Sequence, residues 1–223
     1  MTPKLKIRFC FIFLLFFLNL FVSGAPAENA NKNSGLDEKV RKFLAGQRGK
    51  WVDWNVPAAD GEVLYDLIIK NNYRKAVEIG TSTGHSAIWM GWALSKTGGK
   101  LVTVEINERR HREALENFEA AGLSDYIDAR LGDAHEIVPA LEGPFDFVFS
   151  DADKGWYINY LDAVLPKLEV GGCYTTHNVF MGRGRRGRGR SGDYLEYLLS
   201  LPNLETTVDN RGAGLSISYK KSE

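Results

Sequence analysis

Cysteine is almost missing. Of 223 residues only Cys10 and Cys173 are cysteines, and Cys10 lies in an apolar run at the N-terminus. If that run is removed, no intrachain disulfide can form and the fold must rest on its core. An excess of one charge is missing too: 28 Lys+Arg stand against 28 Asp+Glu, a formal net charge of zero. That excludes a global field drawing the chain to nucleic acid or an anionic membrane. There is no internal repeat, and the one long hydrophobic run, Phe9 to Val22, has 14 residues, fewer than the roughly 20 a spanning helix needs. The loop that follows Ile79 also lacks the Gly-x-Gly-x-x-Gly spacing, having Gly80 and Gly84 instead, which excludes the usual pyrophosphate cradle of a dinucleotide site there.

What the N-terminus does have is Lys4, Lys6 and Arg8 ahead of that run and Ser23-Gly24-Ala25-Pro26-Ala27 behind it. This pattern predicts a secretory signal peptide over 1–27, with an uncleaved anchor as the alternative, and hence export to a periplasm or the exterior. Cleavage leaves 25 basic against 28 acidic residues, a mildly acidic mature chain. Residues 28–35 are polar and aperiodic, a predicted flexible spacer ahead of one domain over 36–223.

From residue 36 helices and strands alternate. The hydrophobic periods predict helices at 36–48, 58–71, 85–96, 108–121, 134–141, 154–168 and 191–200, and strands at 75–79, 100–104, 126–131, 145–150, 171–176, 204–209 and 213–219. Alternation of this kind predicts an α/β fold, a mostly parallel sheet with helices on both faces and an antiparallel hairpin at one edge. Ligands of such sheets sit beyond the strand carboxyl ends. Gly80, Glu105, Asp133, Asp151 and His177-Asn178 all fall there, so one continuous site on that rim is expected.

The densest stretch is 75–86, Lys-Ala-Val-Glu-Ile-Gly-Thr-Ser-Thr-Gly-His-Ser. A buried strand carries Glu78 and turns through Gly80 and Gly84 into a helix, with glycines where the backbone must approach a ligand. Glu105, 25 residues beyond Gly80, ends the next strand and is placed to accept hydrogen bonds from ribose hydroxyls. With Gly132-Asp133-Ala134 it reads as a nucleoside cofactor site lacking phosphates.

Here the chain resembles the metal-dependent class I O-methyltransferases of the catechol and caffeoyl-CoA group. The resemblance runs over roughly residues 50–220, through Trp54-Asn55-Val56, Val77-Glu78-Ile79-Gly80, Gly84-His85-Ser86, Val104-Glu105-Ile106-Asn107, Leu131-Gly132-Asp133-Ala134, Asp151-Ala152-Asp153-Lys154 and Gly214-Leu215-Ser216-Ile217. It implies a Rossmann-like seven-stranded sheet with the last strand antiparallel, S-adenosylmethionine as cofactor, a small hydroxylated, catechol-like aromatic as acceptor, and often a homodimer. Val56, Glu78, Gly80, Thr81, Gly84, Ser86, Glu105, Asp133, Ala134 and Asp151 are the implied cofactor residues. Asp151, His177 and Asn178 are the implied metal ligands, with Lys154 the implied general base.

Two departures from that pattern stand out. Thr175-Thr176-His177-Asn178 carries His177 where the group has aspartate, which would favour manganese, iron, cobalt or zinc over magnesium. His177 as a metal ligand, as a general base with little metal dependence, and as a mark of lost catalysis all stay open. The second departure is Met181 to Arg190, with Arg183, Arg185, Arg186, Arg188 and Arg190. As a lid it would suit an acidic acceptor, as a solvated loop it would do nothing specific, and the secretion signal disfavours RNA. Trp51, Trp54, Trp156 and Tyr157 are either acceptor walls or core; His85 and His135 read as local hydrogen-bonding residues. The rival to an enzyme is a binding protein built on the same fold.

Overall fold

The computed structural model describes residues 25–180 and 190–223. Most of the expected signal segment, and the Gly/Arg loop up to residue 189, lie outside the described residues. In chain order the elements are α1 (Ala25–Gly46), α2 (Ala58–Asn71), β1 (Lys75–Ile79), α3 (His85–Thr97), β2 (Lys100–Glu105), α4 (Glu108–Ala121), β3 (Ile127–Leu131), α5 (Ala134–Ala140), β4 (Phe145–Ser150), α6 (Tyr157–Val164), β5 (Leu168–His177), α7 (Arg190–Ser200), β6 (Leu204–Asp209) and β7 (Leu215–Lys220). They form one seven-stranded sheet in the order β3-β2-β1-β4-β5-β7-β6. Neighbours are parallel except β7, which runs antiparallel to β5 and β6. Among the described residues no helix is long and apolar enough to cross a membrane.

The central strands are buried on both faces, and so β4 reads Phe-Asp-Phe-Val-Phe-Ser rather than as an alternating strand. One core lies under α1 to α4, around Leu64, Ile88, Phe118 and Phe147. The other lies under α5 to α7, around Val148, Tyr160, Leu161 and Leu198. α3 is buried almost all round, from His85 to Ser95, because it packs beneath α2 and α1 as well as on the sheet. α4 buries only Ala114, Phe118 and Ala121 and turns its charged side outward.

Several expected boundaries move, among them the end of α6, at Val164 rather than 168, and the start of β5, at Leu168 rather than 171. α1 starts at Ala25, so residues 28–35, expected as a spacer, are helical. α6 starts at Tyr157 rather than 154, because the Asp153 carboxylate accepts from Gly155 N and its carbonyl from Trp156 N, closing a turn that competes with the helix.

Candidate functional site

β1 to β5 all end on the same rim, where a cavity of about 830 Å³ opens. Gly80, Glu105, Asp133, Ala134, Asp151, Lys154, His177 and Asn178 are all on its wall. These are the strand-end residues expected from the sequence, and the fold brings them into one place.

The cofactor side is set by backbone. Gly80 has φ +101°, and a Cβ there would stand 2.9 Å from the Asp151 carbonyl oxygen, so the turn needs glycine on both counts. Glu105 is held from two directions: Ser82 N donates to its Oε2 at 2.8 Å and Asn107 N to its Oε1 at 2.9 Å. The carboxylate is therefore aimed before any ligand arrives. Asp133 caps α5 by accepting from His135 N at 2.9 Å. Beside it Ala134 and Ile106, the latter 67% exposed, make an apolar slot on the wall. The His135 ring stacks on Trp156 at 3.9 Å close by.

Other expected cofactor residues lie behind that wall. Glu78 is fully buried and accepts from the Ser86 and Thr103 hydroxyls, while Thr103 also meets Thr81. Burial pushes the Glu78 carboxyl up to about 8, with the two hydroxyls opposing. Glu78, Thr81 and Ser86 thus form a polar layer under the loop instead of lining the cavity. Gly84 likewise faces inward, onto the Phe118 ring. Val56 is buried; its carbonyl meets His85 Nδ1 at 2.8 Å, and it borders a neighbouring cavity with Trp51 and Trp89. His85 also accepts from Trp89 Nε1 at 3.1 Å, so it is the local hydrogen-bonding residue expected. Of the aromatic candidates, Trp54 is 77% exposed on the main wall, Trp51 stacks on His85, and Tyr157 is core.

At the β4 and β5 ends the geometry departs from expectation. His177 Nε2 is hydrogen-bonded to Asp60 Oδ2 at 3.0 Å. Its Nδ1 lies 3.0 Å from Asp151 Oδ2, in ion-pair range but off the line of a hydrogen bond. Asp60 is wholly buried in the first turn of α2 and also accepts from Ala213 N at 2.9 Å. Burial alone would lower the imidazole's pKa; the carboxylates of Asp151 and Asp60 override it and raise it to about 9. Asn178, in the left-handed region at φ +58°, offers its Oδ1 to Lys154 Nζ at 2.5 Å.

A metal takes a nitrogen lone pair; His177 Nε2 is turned to Asp60, Nδ1 makes no hydrogen bond and stands beside Asp151, and the Asn178 oxygen is met by the Lys154 ammonium. Among the described residues no group of three His, Cys, Asp or Glu side chains is arranged to hold a metal. The expected set of Asp151, His177 and Asn178, for manganese, iron, cobalt or zinc, is brought together on one wall of the cavity, with Asp60 and Lys154 against it. Lys154 is exposed on the wall, so the burial its general-base role calls for is absent. Asp60 was not expected at all, since it acts across 117 residues of sequence.

A family model described as O-methyltransferase matches residues 27–185. A catechol O-methyltransferase of Niastella koreensis is 37% identical over 110 residues, 48% of this chain and 49% of that protein. Caffeoyl-CoA O-methyltransferase 1 of Eucalyptus globulus is 35% identical over 134 residues, 56% of this chain and 54% of that protein. The chain thus spans about half the length of the curated relatives it matches. Among solved structures, an O-methyltransferase from Bacillus cereus in complex with SAH superposes with TM-score 0.68 at 27% identity, covering 84% of this chain and 91% of that one. TomG from Streptomyces achromogenes in complex with SAM gives 0.67 at 26% identity, covering 87% and 96%. With the family model running over residues 27–185, well beyond half of the chain, the chain belongs to the O-methyltransferase family.

Proposed function

We propose that this protein transfers a methyl group from S-adenosylmethionine to a hydroxyl of a small aromatic acceptor. The observation that carries the reading is Glu105, fixed by two backbone N–H groups at the floor of the rim cavity, where a ribose would present its two hydroxyls. The bare Cα of Gly80 leaves room above it, and the slot of Ile106 and Ala134 suits a planar purine. Trp54 offers a planar wall for the acceptor, in keeping with the catechol and caffeoyl-CoA names of the relatives.

When bound, the cofactor supplies an electrophilic methyl carbon whose bond to sulfur breaks with the electron pair leaving on sulfur. The chain's own work is to align the acceptor oxygen and receive its proton. Asp151 lines the cavity, and burial raises its carboxyl, against the pull of His177 and Lys154, which improves it as a proton acceptor. The Lys154 and His177 side chains crowd positive character around the same wall and favour an oxygen that has lost its proton.

Calorimetric titration of S-adenosylhomocysteine into the purified protein is expected to show one site per chain with a Kd of order micromolar, about −8 kcal/mol. A folded sample that takes up none would move the protein to the binding-module reading. We also propose export directed by residues 1–27. Intact-mass measurement of the protein recovered from its native cells is expected to place the N-terminus at residue 26 to 28; an intact N-terminal segment in the membrane fraction would identify an anchor instead.

A further inference from the structure

Methyl transfer makes no use of a second cavity, of about 730 Å³, which shares Asp53, Asn55 and Pro57 with the rim site as a common wall. Its volume is that of a small-molecule site. Trp51 from the loop, Tyr65 from α2, and His85, Trp89 and Trp92 from α3 line it. These rings are fixed by one another: Trp51 stacks on His85 with centroids 4.5 Å apart, and Tyr65 meets Trp92 at 4.8 Å. His85, whose pKa burial holds below the usual histidine value, spends its two nitrogens on the Val56 carbonyl and Trp89 Nε1. Trp92 Nε1 donates to Asp37 at 2.6 Å. With the indole N–H groups of Trp89 and Trp92 engaged by protein, what these rings offer the cavity is apolar surface. The fold makes room for this wall, since a Cβ on Gly61 of α2 would collide with the Trp89 ring.

We infer that this cavity is a second binding site, for a zwitterionic aromatic molecule of the amino-acid kind, whose ring lies among the tryptophans while its ammonium faces α2 and its carboxylate faces α1. Charge placement carries the assignment. Glu62 and Asp66, one helical turn apart, line the α2 side, and Arg41 and Arg48 line the α1 side. Among the described residues no protein partner holds Glu62, Asp66 or Arg48 in a side-chain ion pair. The cation whose field reaches both carboxylates, Arg211, is itself bound to Asp209 at 2.8 Å. Arg41 lies 5.0 Å over the Trp92 ring, a stacked guanidinium whose planar edge suits a carboxylate. An apolar ligand would leave all four charges unused. A lone cation would be opposed by the arginines and a lone anion by the carboxylates, whereas a zwitterion meets both sides.

The inference does not rest on methyl transfer, and its probes carry no hydroxyl to methylate. L-phenylalanine, phenethylamine and 3-phenylpropanoate share one ring and differ in charge. With S-adenosylhomocysteine present throughout, calorimetry is expected to show L-phenylalanine at one site per chain with a Kd of the order of 0.1 mM. Each singly charged probe is expected to bind about fivefold more weakly, a modest step because the four charged side chains are exposed. The double variant Arg41→Gln/Arg48→Gln should bring L-phenylalanine level with phenethylamine, and Glu62→Gln/Asp66→Asn should bring it level with 3-phenylpropanoate. These exposed positions leave folding intact, which thermal melts check. Trp51→Ala is expected to weaken all three probes by about tenfold or more, and Trp54→Ala, on the rim cavity, to leave them unchanged. Absence of saturable uptake of all three probes, or phenethylamine bound as tightly as L-phenylalanine by the wild type, would overturn the inference. Uptake lost in Trp54→Ala and kept in Trp51→Ala would also overturn it, by placing the ligand in the rim cavity.

Discussion

Glu105→Ala is expected to weaken S-adenosylhomocysteine binding by about 100-fold or more while the protein still folds. Hydrogen bonds to a charged group contribute about 1.5–3 kcal/mol each. A ribose diol making two of them to a carboxylate already aimed by Ser82 N and Asn107 N loses roughly 3 kcal/mol or more when it goes, and 1.4 kcal/mol is tenfold in Kd. Glu105→Gln should lose nearly as much, because one of its two ends must turn an N–H₂ toward a backbone N–H that the carboxylate now accepts from. Calorimetry on both variants, with thermal melts as a folding check, makes the comparison. A Kd within threefold of wild type in both would show that the carboxylate holds the loop and not the ligand.

Much of this site is readable from the chain alone, for a definite reason. Gly80, Glu105 and Asp151 each close a hydrophobic run that reads as a buried strand, Asp133 follows the largely exposed edge strand Ile127–Leu131, and a parallel sheet delivers all such ends to one rim. What the sequence hides is the direction in which side chains turn. Glu78 stands within two residues of Gly80, yet strand alternation sends its carboxyl beneath the loop, to Ser86 and Thr103. Asp60 looks like an ordinary acidic residue in the first turn of an amphipathic helix; only the fold brings it against His177. The family resemblance stops at the same place: it aligns His177 with a ligand position while saying nothing about the Asp60 that the ring faces. Local competition explains the smaller misses: the Asp153 turn delays α6 by a few residues, a matter of one side-chain hydrogen bond against one helical turn.

The second large effect is on stability, and it runs opposite to the usual acid sensitivity. The Glu78 carboxyl has an ordinary value near 4.5 when unfolded and about 8 when folded, because burial disfavours its charge more than the two hydroxyls favour it. Between those values the folded chain holds a proton that the unfolded chain has released, so stability is full below pH 4.5 and falls as pH rises toward 8. The same sign holds for His177. Its contribution is present below its unfolded value of 6.5 and is lost as pH rises through about 9. Glu78 alone is expected to account for about 3–5 kcal/mol across its window, or about 10 °C in Tm for a chain of this size. Going the other way, Asp53 and Asp209, held below the carboxylate range by hydrogen bonds from Arg109 and Arg211, lose their contribution only as the pH drops under about 4. Maximum Tm is therefore expected near pH 4 to 5, with a marked decline by pH 9. Glu78→Gln keeps the size of the side chain and a carbonyl for one hydroxyl while removing the titration. Melting curves of the variant should lose at least half of the decline between pH 5.5 and 8. A wild-type Tm that rises over that interval, or a variant that declines as steeply as wild type, would mean that Glu78 is ionised in the folded protein and that a cation reaches it from the cavity side.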